Sequence, residues 1–178
     1  MSTNKKLKLI TIDGLKGVDT QNIYKQIRKF LLQNSNKSLV EVSDVDVGNI
    51  SDENNILIRK SSVITDIYTD MLENASNKEV QEKYHHKLEK ERILSHNHGS
   101  VTFFVIPDSP DFYTRQKEYS LSDFDKEYIP SIIAYCKNIP YTTLYSGADI
   151  KLIIFNKDDK ILNISQKIID KLQSTYQL

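Results

Sequence analysis

Short apolar runs that alternate with helical patterns constrain the fold of this chain more than any other feature. Three runs have the length and composition of buried strands: "KLKLITI" at 6–12, "VTFFVI" at 101–106 and "IKLIIF" at 150–155. Helical periodicity follows each of them, at 20–33, 122–138 and 163–174. Strands that alternate with helices form a parallel sheet with helices on both faces. We predict an α/β fold, with a mainly parallel central sheet flanked by helices.

The segments between these runs have weaker patterns. "SLVEVSDVDV" at 38–47 predicts a further strand, and a polar loop follows at 48–55. Apolar residues then recur with helical spacing, which favours a helix over 56–75. A charged helix over 74–99 ends near a glycine, the residue most often found just beyond a helix.

Length and composition indicate one globular domain over 1–178. Hydrophobic residues make up 39% of the chain, charged residues 27%, and the formal net charge is zero. No global basic field attracts nucleic acid, so a nucleic-acid partner is not expected. No apolar run is long enough to span a membrane, and the start of the chain lacks a secretion signal. We expect a cytoplasmic protein. Its abundance of Asn, Ile and Lys is typical of an AT-rich genome, such as a viral one.

The stretch "DGLKGVDT" between the first strand and the first helix resembles a phosphate-binding loop. Such loops use glycines to point backbone N–H groups at phosphates, a lysine to neutralise oxygens and a Ser or Thr hydroxyl to hold magnesium. The candidate phosphate-binding residues are Gly14, Lys16, Gly17 and Thr20. Asp19 would repel phosphate. The alternative is a plain turn in which the glycines serve the chain reversal and Asp19 or Thr20 caps the helix.

Three segments together resemble the thymidylate kinases, which are P-loop nucleoside monophosphate kinases. "LITIDGLKG", with Thr20-Gln21 after it, is similar to that family's phosphate loop, and "VTFFVIPDSPDFYTRQKEYS" to its later strand, turn and lid. "IKLIIFNKDDKILNISQKIIDKL" is similar to the family's final strand and helix. The resemblance implies a P-loop kinase-like three-layer sandwich, with ATP and Mg²⁺ as cofactors. It also implies a lid carrying Arg115 and Lys117, although two solvated charges on a helix are the favoured interpretation of this pair.

Departures from the family pattern concern the residues that carry its chemistry. The loop lacks the Gly-Lys step, and no Asp-Arg-Tyr/Ser segment occurs between 75 and 100. "SDVDVGNISDEN" does not match the family's Arg-Glu-Pro-Gly stretch. Loss of one transition-state charge partner typically costs about 10²–10³ in rate. No catalytic residue is therefore assigned.

These departures favour a catalytically degenerate thymidylate kinase-like protein that acts by binding or interaction. Its partner would be an unknown protein or a nucleotide. The alternative is a divergent active kinase that transfers phosphate from ATP to dTMP, with Lys16 replacing the loop lysine and Arg115 and Lys117 closing over the phosphates. A viral protein that uses the fold only as a scaffold is a third hypothesis. By analogy with the family, the apolar face of 56–75 could form a homodimer.

The histidines and the single cysteine are the remaining residues that could carry chemistry. His85, His86, His96 and His98 lie close in sequence, but no cysteine or dense carboxylate set accompanies them, so no metal site is predicted. Cys136 is the only cysteine and lies on an apolar helix face. A buried structural thiol is the expected role for it.

Overall fold

The computed structural model describes residues 5–15, 17–43, 54–60, 78–114, 123–138 and 149–177. The elements in chain order are β1 (Lys5–Lys6), β2 (Leu9–Gly14), α1 (Thr20–Asn34), β3 (Ser38–Glu41), β4 (Asn55–Arg59), α2 (Lys78–His98), β5 (Ser100–Pro107), α3 (Asp111–Thr114), α4 (Asp123–Asn138), β6 (Ile150–Phe155), α5 (Ile161–Thr175) and β7 (Tyr176–Gln177).

Five strands form one parallel sheet in the order β3-β4-β2-β5-β6. Consecutive strands of the chain are connected by helices where the linking segments are described, which is what parallel pairing requires. β2 lies at the centre, between β4 and β5, and Thr11 is in register with both Arg59 and Thr102. The predicted α/β fold with a parallel sheet is confirmed.

Helices cover both faces of the sheet. On one face, α1 and α5 pack on Ile10, Ile12 and Phe103 in the largest apolar cluster. On the other face, α4 covers Phe104 and Ile106 in a second cluster. Every residue of β5 is buried, as expected for a central parallel strand with both faces covered.

Most of the predicted helices match the structure. α1 and α5 bury one side each, with Ile23, Ile27 and Leu31 on α1 and Ile164, Ile168 and Leu172 on α5. α4 begins at Asp123 and continues through Pro130 to Asn138. α2 ends one residue before Gly99, whose φ of 64° suits glycine at a helix end.

The predicted helix over 56–75 is wrong at its start, because Asn55–Arg59 is strand β4. "NILIR" is a short apolar run, and periodicity alone cannot separate a buried strand from a buried helix over so few residues. Residues 61–77 lie outside the described part of the chain. Ile56 and Ile58 are buried in the sheet, so neither offers a helical face to a second copy. A homodimer remains a prediction.

The strand predicted at 38–47 is described as far as residue 43, and β3 ends at Glu41. The strand predicted at 6–12 is two strands. β2 begins at Leu9, and Lys5–Lys6 pair instead with Tyr176–Gln177 in a separate two-stranded parallel sheet.

Candidate functional site

The candidate phosphate loop lies at the carboxyl edge of the sheet, between the end of β2 at Gly14 and the start of α1 at Thr20. A Cβ atom added at Gly14 would lie 2.8 Å from Cγ2 of Thr20 and 3.0 Å from the carbonyl oxygen of Val105. Gly14 is therefore required by the close approach of the first turn of α1 and of β5. Gly17 has a φ of 89°, in the region that favours glycine.

Backbone amides of the loop donate hydrogen bonds within the protein. The Leu15 N–H donates to the carbonyl oxygen of Val105 at 3.0 Å, and the Val18 N–H to that of Leu15 at 3.0 Å. The Thr20 N–H donates to the carbonyl oxygen of Val18 at 2.8 Å, and the Gly14 N–H to Oδ1 of Asp13 at 2.8 Å. A phosphate group bound by these four amides would have to displace those bonds.

Asp19 caps the N-terminus of α1. Its Oδ1 accepts the backbone N–H of Asn22 at 3.0 Å, and its Oδ2 accepts the side-chain amide of Asn22 at 2.7 Å. The N-terminus of a helix carries partial positive charge and attracts anions. In this protein the side-chain carboxylate of Asp19 occupies that position. The side chain of Asp19 is exposed, so the cap faces solvent at the edge of the loop.

Asp13 and Cys136 are buried beneath the loop. Asp13 is 4% exposed and Cys136 is fully buried on α4. Burial, with a smaller contribution from the charge of Asp13, raises the pKa of the Cys136 thiol to about 12. Because the thiolate is the nucleophilic form, this thiol stays protonated and unreactive at neutral pH. Its burial agrees with the predicted structural role.

A buried polar group that was not predicted from the sequence lies at the end of β4. Nη2 of Arg59, at the end of β4, donates to Oε1 and Oε2 of Glu91 on α2 at 2.7 and 2.5 Å. Nε of Arg59 donates to Oγ1 of Thr11 on β2 at 2.7 Å. The charged side chains are only 6% and 11% exposed. The one indication in the sequence is an arginine at the end of the apolar run "NILIR". Because a helix was predicted over this run, the arginine was not assigned a buried partner.

A second polar group lies near the outer edge of the sheet. Tyr24 on α1 donates its hydroxyl to Glu41 at the end of β3, and Glu41 also pairs with Arg28 at 2.5 Å. The ammonium group of Lys60 lies 5.0 Å from the centre of the Tyr24 ring, within the range of a cation–π contact. Burial and the Glu41 hydrogen bond raise the pKa of Tyr24 to about 12.

This pKa predicts a loss of stability at alkaline pH. The folded protein holds the Tyr24 proton more tightly than the unfolded chain, so the stabilisation is complete below pH 10 and is lost as pH rises towards about 12. We expect urea-unfolding free energies to fall less steeply over this range in Tyr24→Phe than in the natural sequence. Equal slopes in the two proteins would contradict the assignment.

The remaining candidate residues are placed as follows. Lys16, Arg115 and Lys117 lie outside the described residues. His85, His86 and His96 are exposed on α2. Within the described ranges, no three His, Cys, Asp or Glu side chains are grouped so as to hold a metal ion. The helices in those ranges include none that is both long enough and apolar enough to cross a membrane.

Comparisons with known proteins give a likeness in structure. No protein family matches this chain in sequence pattern, and no curated protein matches it in sequence. A solved structure of a thymidylate kinase from Candida albicans is similar with a TM-score of 0.53 and 11% identity. The likeness covers 95% of this chain and 92% of that one. The chain therefore has a thymidylate kinase-like α/β fold.

Proposed function

We propose that this protein is a catalytically degenerate thymidylate kinase-like protein that acts by binding or interaction. The observation that carries the proposal is the Asp19 cap, which puts a carboxylate at the helix terminus where a phosphate would bind. A second anion there would meet a negative charge and would lose the attraction of the helix terminus.

The loop hydrogen bonds support the same proposal. Four loop amides already donate to groups of the protein. Catalysis of phosphoryl transfer relies on preorganised donors and cations around the phosphates. In their described conformation, residues 14–15 and 17–20 fit the requirements of a capped turn better than those of a triphosphate site with magnesium. Phosphate transfer is therefore not expected.

The first test is calorimetric titration of the full chain with ATP, with and without Mg²⁺, and then with dTMP. We expect a Kd for ATP weaker than about 1 mM and no phosphorylation of dTMP above a control without protein. Magnesium-dependent ATP binding in the micromolar range, together with dTMP phosphorylation abolished by Thr20→Ala, would overturn the proposal in favour of an active kinase.

Asp19→Asn tests whether the negative charge of Asp19 opposes phosphate binding at the N-terminus of α1. Asparagine caps helices about as well as aspartate, so the variant removes the charge and keeps the fold. We expect it to bind inorganic phosphate at least several-fold more tightly than the natural sequence, without gaining dTMP phosphorylation. Circular dichroism provides the folding control. Unchanged phosphate affinity in a folded variant would contradict the role given to the Asp19 charge.

A further inference from the structure

α1 presents one side to solvent, and every residue of this helix is described in the structure. Its buried side chains face the sheet, and they are Ile23, Tyr24, Ile27 and Leu31. The opposite side carries exposed side chains at a spacing of three or four residues, which places them in one stripe along the helix. We call this stripe the α1 outer face, and its members are Asn22, Lys25, Lys29, Leu32 and Gln33.

The α1 outer face is basic although the whole chain is neutral. The chain has 24 basic and 24 acidic residues, yet no acidic residue occurs in α1 between Thr20 and Asn34. Lys25 and Lys29 are about one turn apart, and among the described residues no carboxylate pairs with either of them. Arg28, on the flank of the helix, is neutralised by Glu41. The positive charge of the outer face therefore comes from the two lysines.

A second pair of exposed lysines shows the contrast. In the turn between β6 and α5, Lys157 and Lys160 flank two aspartates at 158 and 159, so these four residues carry no net charge. On α1, by contrast, Lys25 and Lys29 are like charges at a spacing of four residues, which is slightly unfavourable in a helix. An acidic group placed across the two lysines would remove that repulsion.

Leu32 adds an apolar contact to the same face. Its side chain is 54% exposed, and it lies less than one turn beyond Lys29. The helix beneath is held firmly, because its buried side chains pack in the largest apolar cluster and because Tyr24 and Arg28 both bind Glu41 of β3. The backbone of the face is therefore already ordered, so a partner needs to immobilise only side chains when it binds.

We propose that the α1 outer face is a docking site for an acidic protein segment that also carries an apolar side chain. Carboxylates of the segment pair with Lys25 and Lys29, and its apolar side chain covers Leu32. Charge complementarity selects this class of partner, because the face offers two cations and one apolar contact and includes no anion. This docking site rests on the proposed function of binding or interaction, and it specifies the surface and the partner chemistry.

Nucleic acid and anionic lipid are less suited to the α1 outer face. Nucleic-acid binding depends on many phosphate contacts along a basic surface, and this face offers two lysines in a chain of zero net charge. Membrane binding by a surface helix requires an apolar side that enters the lipid. The apolar side of α1 is buried against the sheet instead, and Leu32 is the one apolar member of the outer face.

Binding of a labelled synthetic peptide to the full chain, measured by fluorescence anisotropy, tests the docking site. The probe combines glutamates with leucines and is about 20 residues long, which is enough to span α1 as a helix. We expect a Kd between about 10 and 500 μM at low salt, and weaker binding as NaCl is added. A matched peptide with glutamine in place of every glutamate should bind at least about fivefold more weakly.

Three variants assign the binding to the α1 outer face. Lys25→Glu with Lys29→Glu reverses both charges and should weaken binding of the acidic peptide by at least about tenfold. Lys157→Glu with Lys160→Glu is the matched control, because it makes the same change in net charge outside α1, and it should alter the Kd by less than about threefold. Leu32→Gln should weaken binding by about threefold or more without altering its dependence on NaCl.

Circular dichroism confirms that each variant is folded, and Lys25→Gln with Lys29→Gln replaces the charge reversal if that variant does not fold. Equal affinity of the natural sequence and the folded lysine variant for the acidic peptide, or no binding of the peptide at all, would overturn the docking site. Tighter binding of oligo-dT of the same length, or of vesicles that contain phosphatidylserine, would overturn it in favour of nucleic acid or membrane. Titration with ATP tests the proposed function separately, so the two failures are distinguishable.

Discussion

Phe103→Ala should lower the free energy of unfolding by about 3–5 kcal/mol. Phe103 is fully buried in the cluster that joins β5 to α1 and α5. Removal of the ring leaves a cavity between the sheet and the helices α1 and α5. Because β5 is hydrogen-bonded to β2 on one side and to β6 on the other, it has little freedom to move into that cavity. Urea unfolding followed by circular dichroism measures the effect.

Two controls define what this result means. Leu162→Ala removes an apolar side chain that is 65% exposed and should change stability by no more than about 0.5 kcal/mol. Phe104→Ala removes an equally buried ring from the opposite face of β5, where it packs under α4. In hydrogen exchange, Phe103→Ala should weaken protection mainly in α1 and α5, and Phe104→Ala mainly in α4. A loss below about 1 kcal/mol in Phe103→Ala would contradict the described core.

Gly14→Ala should destabilise the protein by about 1–3 kcal/mol, the usual range for an inserted methyl group in a filled site. The new Cβ would lie 2.8 Å from Cγ2 of Thr20 and 3.0 Å from the carbonyl oxygen of Val105. The Thr20 methyl group is on the first turn of α1, and the Val105 carbonyl is in a central strand. The first contact is relieved if the Thr20 side chain or α1 shifts, and the second only if β2 and β5 move apart locally.

Thr20→Ser separates the two contacts, because it removes the methyl group and keeps the hydroxyl. In the Thr20→Ser background, Gly14→Ala should cost measurably less than it does alone, with the remainder due to the Val105 carbonyl oxygen. The coupling free energy from this double-mutant cycle is measured by urea unfolding. Additive effects would mean that Gly14 and Thr20 are not in contact.

The elements predicted best from the sequence are those with long or uniform patterns. α1 and α5 have buried apolar residues at helical spacing, and β5 is a mostly apolar run that is buried throughout, so local sequence and burial agree. The prediction for β4 was wrong because its five residues fit the period of a strand and the period of a helix equally well. Only its pairing with β2 and β3 decides between strand and helix, and pairing depends on residues far away in the chain.

In the candidate site, the contact between residues close in sequence was predictable and the contact between distant residues was not. A helix cap at Asp19 was one of two interpretations of "DGLKGVDT", because an aspartate just before an amphipathic helix is a common N-cap residue. The Arg59–Glu91 pair was not predictable, since its partners are 32 residues apart and neither stands in a recognisable motif. Buried ion pairs of this kind are specified by tertiary packing, which brings one helix over one strand end.

The pairing of β1 with β7 has a consequence for the order of folding. Lys5 is in register with Tyr176, a separation of 176 − 5 = 171 residues. The entropy of closing a loop grows with its length, and contacts distant in sequence form late unless others have already shortened the path. This pairing cannot form before Tyr176 has been synthesised, by which point β2, β4, β5 and β6 are complete in the chain. The separate two-stranded sheet is therefore expected to form after the five-stranded sheet, as the last step of assembly.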